Sequence, residues 1–401
     1  MPQVLSTQAR PVYDELISLC QALIRARSYS GEESDAAQAL MTYFFSKGIG
    51  RLTVDRYGSV VCSITGKRPG PKLLFDGHMD TVPVTDITQW TYPPFDGVIQ
   101  GGRIYGRGAS DMKCALAAMA VAAAAFAQQT DCDFSGSLHI AGVVHEECFE
   151  GVAARSISSI LQPDYVVIGE STELGLNIGQ RGRAEIKLEV FGKPAHSANP
   201  EKGKNAVYGM THIIERLRLL EPPMHDILGK GILELTDIRS SPYPGASVVP
   251  EYCTATYDRR LLTGETMESV LAPIQAVIDI LKAEDGQLNT RVSFAKGEER
   301  CYTGETIQGE RFFPGWLFSQ NEEYVGRIKR KLDDIGICPK IGQYNFCTNG
   351  SHYAGEANIK TIGFGPSREN VAHTVDEYAE LDEVYAAMQG YIGIMQALLT
   401  D

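Results

Sequence analysis

The sequence predicts an α/β protein: a larger domain with a mostly parallel central sheet, interrupted by an inserted ferredoxin-like α+β domain. Three observations carry this prediction. Helical and strand-like patterns alternate up to residue 168, as they do when helices cover a parallel sheet. The order then changes to strand, helix, strand, strand, helix, strand over 184–296, the split βαββαβ pattern. Helix, strand and helix return after residue 322, so the chain of 401 residues, too long for one ordinary core, reads as a discontinuous domain over 1–182 and 297–401 around an insertion over 183–296.

The elements follow in order. Residues 12–27 and 33–47 have helical spacing, and Ser30 with Glu33 offers a capping box before the second helix. Strand-like runs fall at 59–64, 73–75, 138–144 and 165–168, separated by an alanine-rich helix near 112–128 and another near 151–161. The insertion has strands at 184–191, 231–238, 251–260 and 290–296 and helices at 205–220 and 266–283. A helix near 322–336, a strand at 359–363 and a helix at 381–399 close the chain. The uncharged run 114–130 is dominated by alanine and is shorter than the roughly 20 strongly apolar residues a bilayer requires, so it reads as a buried helix.

Composition excludes some functions. With 37 Lys+Arg against 50 Asp+Glu, the formal charge of −13 argues against a nucleic-acid binder, which needs cations for phosphate, and against an anionic membrane surface. Nine scattered cysteines without a C-x-x-C pair read as a reduced set. The first 16 residues lack an apolar leader core. A cytoplasmic location is expected, with an exported protein whose leader has been trimmed as the alternative.

Acidic residues and histidines collect where strands end, the edge at which parallel sheets bind ligands. The run LLFDGHMDTVP (73–83) places His78 and Asp80 two residues apart, close enough for a carboxylate to fix the tautomer of a ligating imidazole. In GRGASDMK (106–113), Asp111 alone reads as a helix N-cap. The next strand runs into His145, Glu146 and Glu147, the following one into Glu170, and VAHTVDEY (371–378) puts His373 after a glycine turn. Such a set of oxygen and nitrogen donors without thiolate suits a hydrolytic zinc, cobalt or manganese site. Five ligands are too many for one closed tetrahedral ion, whereas two ions sharing one carboxylate would use them all.

With these motifs the chain resembles the M20 family of metal-dependent amidohydrolases and peptidases, which includes acetylornithine deacetylase, succinyl-diaminopimelate desuccinylase, aminoacylases and carnosinase-like dipeptidases. The resemblance rests on GHMDTVP, GRGASDMK, VVHEE, IGES, GKPAHSA, YDRRLLTGE and AHTVDEY, in the family's order along nearly the whole chain. It implies a zinc-peptidase-like catalytic domain that binds two divalent ions, with the insertion as lid and dimerisation domain. His78 and Glu170 would hold one ion, Glu147 and His373 the other, and Asp111 would bridge them. Asp80 would orient His78, and Glu146 would be the general base, taking a proton from water and passing it to the leaving nitrogen. His196, in GKPAHSA, would stabilise the oxyanion in the partner's site of a homodimer. Arg260 would grip a substrate carboxylate, and strand alternation lets only one of Arg259 and Arg260 face the cleft.

Two departures bear on the substrate. Ser247, in GASVVP, stands where many relatives carry asparagine, and FCTNGSHYAG (346–355) replaces a T-x-S-D-x-R-like loop of deacetylases. Asn349, Gly350 and Ser351 are expected to contact substrate, and His352 reads as a loop residue rather than a sixth ligand. The loop and the HEE variant place the chain near the selenium-metabolism-linked branch of the family. That branch suggests an N-acyl or N-carbamoyl bond on a small amino-acid derivative. A dipeptidase with the same site is the close alternative, and a binding protein that has lost activity is the distant one.

Overall fold

The computed structural model describes residues 10–400; the N-terminal stretch read as lacking a leader core falls outside them over 1–9, as does the terminal residue 401 of the predicted larger domain. Chain contacts divide it into two compact units. The described part of the first covers 10–180, Glu298–Gln308 and 317–400; the second is Arg181–Gly297 with Gly309–Trp316.

The first unit is built on a mixed nine-stranded sheet. Its centre, in spatial order Ser135–Val143, Arg68–His78, Tyr165–Ile168 and Lys360–Gly363, is parallel throughout. The flanks join it antiparallel: Val60–Thr65 pairs with Ser135–Val143 on one side, and Leu176–Gln180, itself parallel to Ile341–Tyr344, meets Lys360–Gly363 on the other. The predicted parallel character therefore holds at the centre, and the direction reverses where each flank joins it. The register aligns the carboxyl ends, with His78 opposite Val143 and Asp76 opposite Ile168. Whatever follows these strands emerges at one edge.

Helices Cys114–Thr130 and Leu381–Leu399 pack on this sheet. From Cys114 through Ala124 every residue of the first is buried, the signature of a helix enclosed on all sides. Close approach requires glycine in two places. A Cβ on Gly390 would fall 2.5 Å from the Phe364 ring, and one on Gly169 would meet the Met119 side chain. Arg10–Arg25 shows the amphipathic alternative, burying Leu16, Leu19, Cys20, Leu23 and Ile24 on one stripe.

One local expectation fails. The helix Ser34–Lys47 has Glu33 at its N-cap but no side-chain cap, and Ser30 and Glu33 form no capping box. Their side chains turn instead to partners far along the sequence, Asp80 for Ser30 and the His145 amide for Glu33.

In the second unit the strands lie in the order Ile232–Ser241, Tyr252–Leu261, Gly182–Phe191, Asn289–Phe294, each pair antiparallel. This is the second-third-first-fourth arrangement of a ferredoxin-like unit. Helices Ala206–Leu217 and Met267–Glu284 cover one face through Met210, Ile213, Val270, Ile274 and Ile278. Asn205 caps the first helix through the Val207 and Tyr208 amides, and Thr266 and Ser269 form a capping box on the second. The unit extends beyond the expected 183–296: Phe312 and Phe313 pair with Ala184 and Arg183, and the Phe312 ring packs edge-on against Phe294 at 5.1 Å. The aromatic pair is what draws 309–316 into this unit.

Candidate metal centre

The aligned strand ends gather the predicted side chains. His78 closes Arg68–His78, Glu146 and Glu147 follow Ser135–Val143, and Glu170 lies two residues past Tyr165–Ile168. Asp111 stands in a tight turn over 109–113 that leads into the alanine-rich helix, and that turn is fixed by Glu377. The Glu377 carboxylate, fully buried, accepts from the Ser110 and Asp111 amides through Oε1 and from the Gly108 amide and Arg107 Nη1 through Oε2. The acid read as a helix cap is thus held in place by another acid 266 residues away.

Asp111 lies between the two histidines. Its Oδ1 is 2.8 Å from His78 Nε2, and its Oδ2 is 3.1 Å from His373 Nε2. On the first side His78 Nε2 also approaches Glu170 Oε1 at 3.4 Å, and on the second His373 Nε2 approaches Glu147 at 3.1 Å. Ligand atoms of His78, Asp111 and Glu147 all lie within 4.8 Å of one another, and so do those of His78, Glu146 and Glu170.

The electrostatics are those of carboxylates crowded away from water. Burial, then the charge of Asp111, pushes Glu147 and Glu170 each up to about 7. Burial also raises Glu146 well above the usual range, with Glu170, Glu147 and Glu150 adding to it and His78 opposing. For Asp111, hydrogen bonds from His373 and His78 outweigh burial and hold the carboxyl low; hydrogen bonds to Asp111 and Glu147 raise His373 to about 10. Glu146 Oε1 is buried with no hydrogen-bond partner. A set of four acids, Glu146 and Glu170 buried and Asp111 and Glu147 half-buried, with imidazoles at either end and one acid offering an oxygen to each side, fits divalent cations, whose charge relieves this repulsion. The donors are nitrogen and oxygen only, which suits zinc, cobalt or manganese.

Asp80 behaves differently from its expected role. His78 Nδ1 sits 2.8 Å from the backbone oxygen of Asp80, and the carboxylate is 3.6 Å away. That carboxylate accepts from the Glu146 and Glu147 amides and from Ser30 Oγ. The tautomer of His78 is therefore fixed mainly by a carbonyl, while the Asp80 side chain braces the turn that carries Glu146.

Other expected residues fall elsewhere. Asn349 is 2% exposed, and its amide accepts from the Gly151 N–H and donates to Asp76; the Gly350 amide donates to Thr348 Oγ1. The Asn349 side chain and the Gly350 N–H, expected to contact substrate, are thus engaged inside the fold. Ser351 likewise donates to the Glu150 carbonyl, and His352 lies between Ser158 Oγ at 2.6 Å and Glu356 at 2.7 Å, outside the ligand set. In the second unit, His196 and Ser247 come together: His196 bridges to Val248, and the Ser197 amide donates to the Ser247 carbonyl. Strand alternation separates the two arginines. Arg259 faces the helices, 5% exposed and paired with Glu265, whereas Arg260 takes the opposite face and donates to Asp258 at 2.8 Å.

Comparison with known proteins bears on the family and the fold. The sequence profile of peptidase family M20/M25/M40 matches residues 74–397. Over 381 residues the chain is 29% identical to the uncharacterized protein YgeY of Escherichia coli (strain K12), covering 94% of this chain and 92% of that one. It is 31% identical over 289 residues to succinyl-diaminopimelate desuccinylase of Dinoroseobacter shibae, covering 69% and 76%. Aminopeptidase PepT of Bacillus cereus ATCC 10987 shares the fold with a TM-score of 0.73 at 19% identity, covering 96% and 98%.

Proposed function

The chain belongs to peptidase family M20/M25/M40, and from that premise we propose that it is a dinuclear metal hydrolase that cleaves the N-acyl or N-carbamoyl amide bond of a small amino-acid derivative. The observation that carries this reading is Asp111, with one oxygen toward His78 and the other toward His373. In it, Asp111 would be shared between two ions, most suitably zinc, with His78 and Glu170 holding one and Glu147 and His373 the other. Divalent ions bound there lower the pKa of water and polarise the scissile carbonyl.

The chain's own groups do the rest. Glu146, buried and with Oε1 unpartnered, takes the proton from the attacking water and delivers it to the leaving nitrogen. Burial and the neighbouring carboxylates raise its proton affinity, and cations bound beside it would lower that affinity again, leaving the carboxylate able both to accept the proton and to release it. Asp80 keeps the Glu146 backbone in position. We assign His196 to the developing oxyanion and Arg260 to a substrate carboxylate, with Ser247 beside His196 as a further donor. Arg260 uses Nε on Asp258, which leaves its terminal nitrogens for a bidentate grip. We further assign a homodimer through the second unit, as its lid and dimerisation domain. The strand Ile232–Ser241 ends the sheet order and exposes Ile232 and Ile238, an edge suited to a second copy. The scattered cysteines support a cytoplasmic enzyme.

A substrate panel tests the proposal. Chelator-treated protein is reloaded with zinc, cobalt or manganese and assayed on N-acetyl, N-succinyl and N-carbamoyl amino acids and on unmodified dipeptides. Metal-dependent release of a free amine from the acylated compounds is the expected result. Turnover of dipeptides alone would transfer the assignment to a dipeptidase, and no turnover by fully loaded protein would overturn it.

A further inference from the structure

The turn that carries Glu146 is suspended through three consecutive main-chain amides. The His145 N–H donates to Glu33 Oε1 at 3.2 Å, the Glu146 N–H to Asp80 Oδ1 at 3.0 Å and the Glu147 N–H to Asp80 Oδ2 at 3.1 Å. His145 has φ of 56°, a left-handed conformation that a non-glycine residue adopts only where its surroundings hold it. Glu33 and Asp80 are both fully buried.

Glu33 reaches this turn from a loop that is itself fastened beside His78 and Asp80. Ser28 Oγ donates to the Met79 carbonyl, the Thr81 amide donates to the Ser28 carbonyl, and Tyr29 bridges to Thr81. Ser30 Oγ donates to Asp80 Oδ2 at 2.7 Å, so it shares the oxygen that receives the Glu147 amide. Gly31 donates its amide to Glu33 Oε1 at φ of 88°, and a Cβ there would lie 2.6 Å from the Arg300 carbonyl. The loop is shaped to bring Glu33 and Ser30 to the far side of the turn.

We propose that Glu33, assisted by Ser30, is a positioning residue for Glu146: it fixes the first amide of the turn while Asp80 fixes the next two, and together they set the direction in which the Glu146 carboxylate points. This rests on the general-base reading of Glu146. The carboxylate matters here as an acceptor, so glutamine, which retains an oxygen at Oε1, is the conservative replacement.

The experiment combines amide hydrogen exchange with kinetics on the metal-loaded enzyme. In Glu33→Ala, a peptide covering 145–147 is expected to exchange about tenfold faster, the consequence of stranding a buried N–H. On the same ground kcat is expected to fall about 10- to 100-fold with KM within about twofold. Glu33→Gln restores both to within about threefold, because its amide oxygen accepts the same bonds. In a Glu146→Gln background, Glu33→Ala adds less than about threefold, since a residue acting through Glu146 has nothing left to position. Should Glu33→Ala fail to fold, Ser30→Ala, which loosens Asp80 alone, is expected to shift exchange and kcat in the same direction.

Unchanged exchange at 145–147, or losses that multiply in the double variant, would overturn the proposal. Exchange that responds as described in a protein that hydrolyses nothing on the panel would support the suspension of the turn and overturn the hydrolase reading instead.

Discussion

Glu377→Gln isolates the device that holds Asp111. Glu377 is 0% and Arg107 5% exposed, and their contact is 2.6 Å. Burial raises the Glu377 carboxyl above its ordinary value despite Arg107, so the pair as a whole is no large net gain over apolar side chains. Halving it is another matter. A glutamine whose oxygen keeps the Ser110 and Asp111 amides turns its NH2 toward Arg107 and the Gly108 amide, setting donors against donors. Breaking a buried pair costs about 3–5 kcal/mol, and a stranded N–H about 1–3 kcal/mol. The two share one site and do not add in full, so the loss is about 5 kcal/mol. Urea unfolding in a Trp316→Phe background reads it directly, because Trp90, 5.3 Å from the Arg107 guanidinium, then reports alone. Arg107→Met added to Glu377→Gln is expected to recover at least half of the loss by removing the stranded cation. Metal retention is expected to weaken about 10- to 100-fold as the Asp111 turn loosens. A loss below about 1 kcal/mol with unchanged metal retention would refute the reasoning.

Two further outcomes follow from the same structure. Burial lowers His139 to about 4, and it lies between the hydroxyls of Ser137 and Ser63. Between pH 4 and 6.5 the unfolded chain binds a proton that the folded one refuses, so stability rises with pH across that window and levels off above it. The contribution is at most about 3 kcal/mol, and urea midpoints of His139→Gln measured from pH 4.5 to 7.5 should show a flatter slope. Gly390→Ala drives a methyl into the Phe364 ring, which is fully buried and packed edge-on against Tyr391, and should cost about 1–3 kcal/mol; a thermally neutral variant would contradict this packing.

Much of this architecture was legible in the sequence because periodicity reports on local burial. The six elements of the insertion appear within a few residues of their expected limits, and the acids and histidines that follow strands do converge, because parallel register forces strand ends to one edge. Long-range side-chain pairing was not legible. Glu377 lay inside a quoted motif and Arg107 inside another, but nothing in their spacing joins residues 270 positions apart. Ser30 and Glu33 carried a local signal, the capping box, and tertiary contacts with Asp80 and His145 overrode it. Asn349 had the chemistry of a substrate contact, whereas its burial beside Asp76 is decided by packing that no local pattern encodes.

Hydrolysis at this centre depends most on Glu146 as the proton carrier. The decisive measurement is kcat of Glu146→Gln against the wild-type enzyme on the best acylated substrate, with metal content determined on the same samples. Two equivalents of metal are expected in both proteins, with a loss of about 10²- to 10⁴-fold in the variant, the usual contribution of a general base. Equal turnover at equal metal content would contradict it.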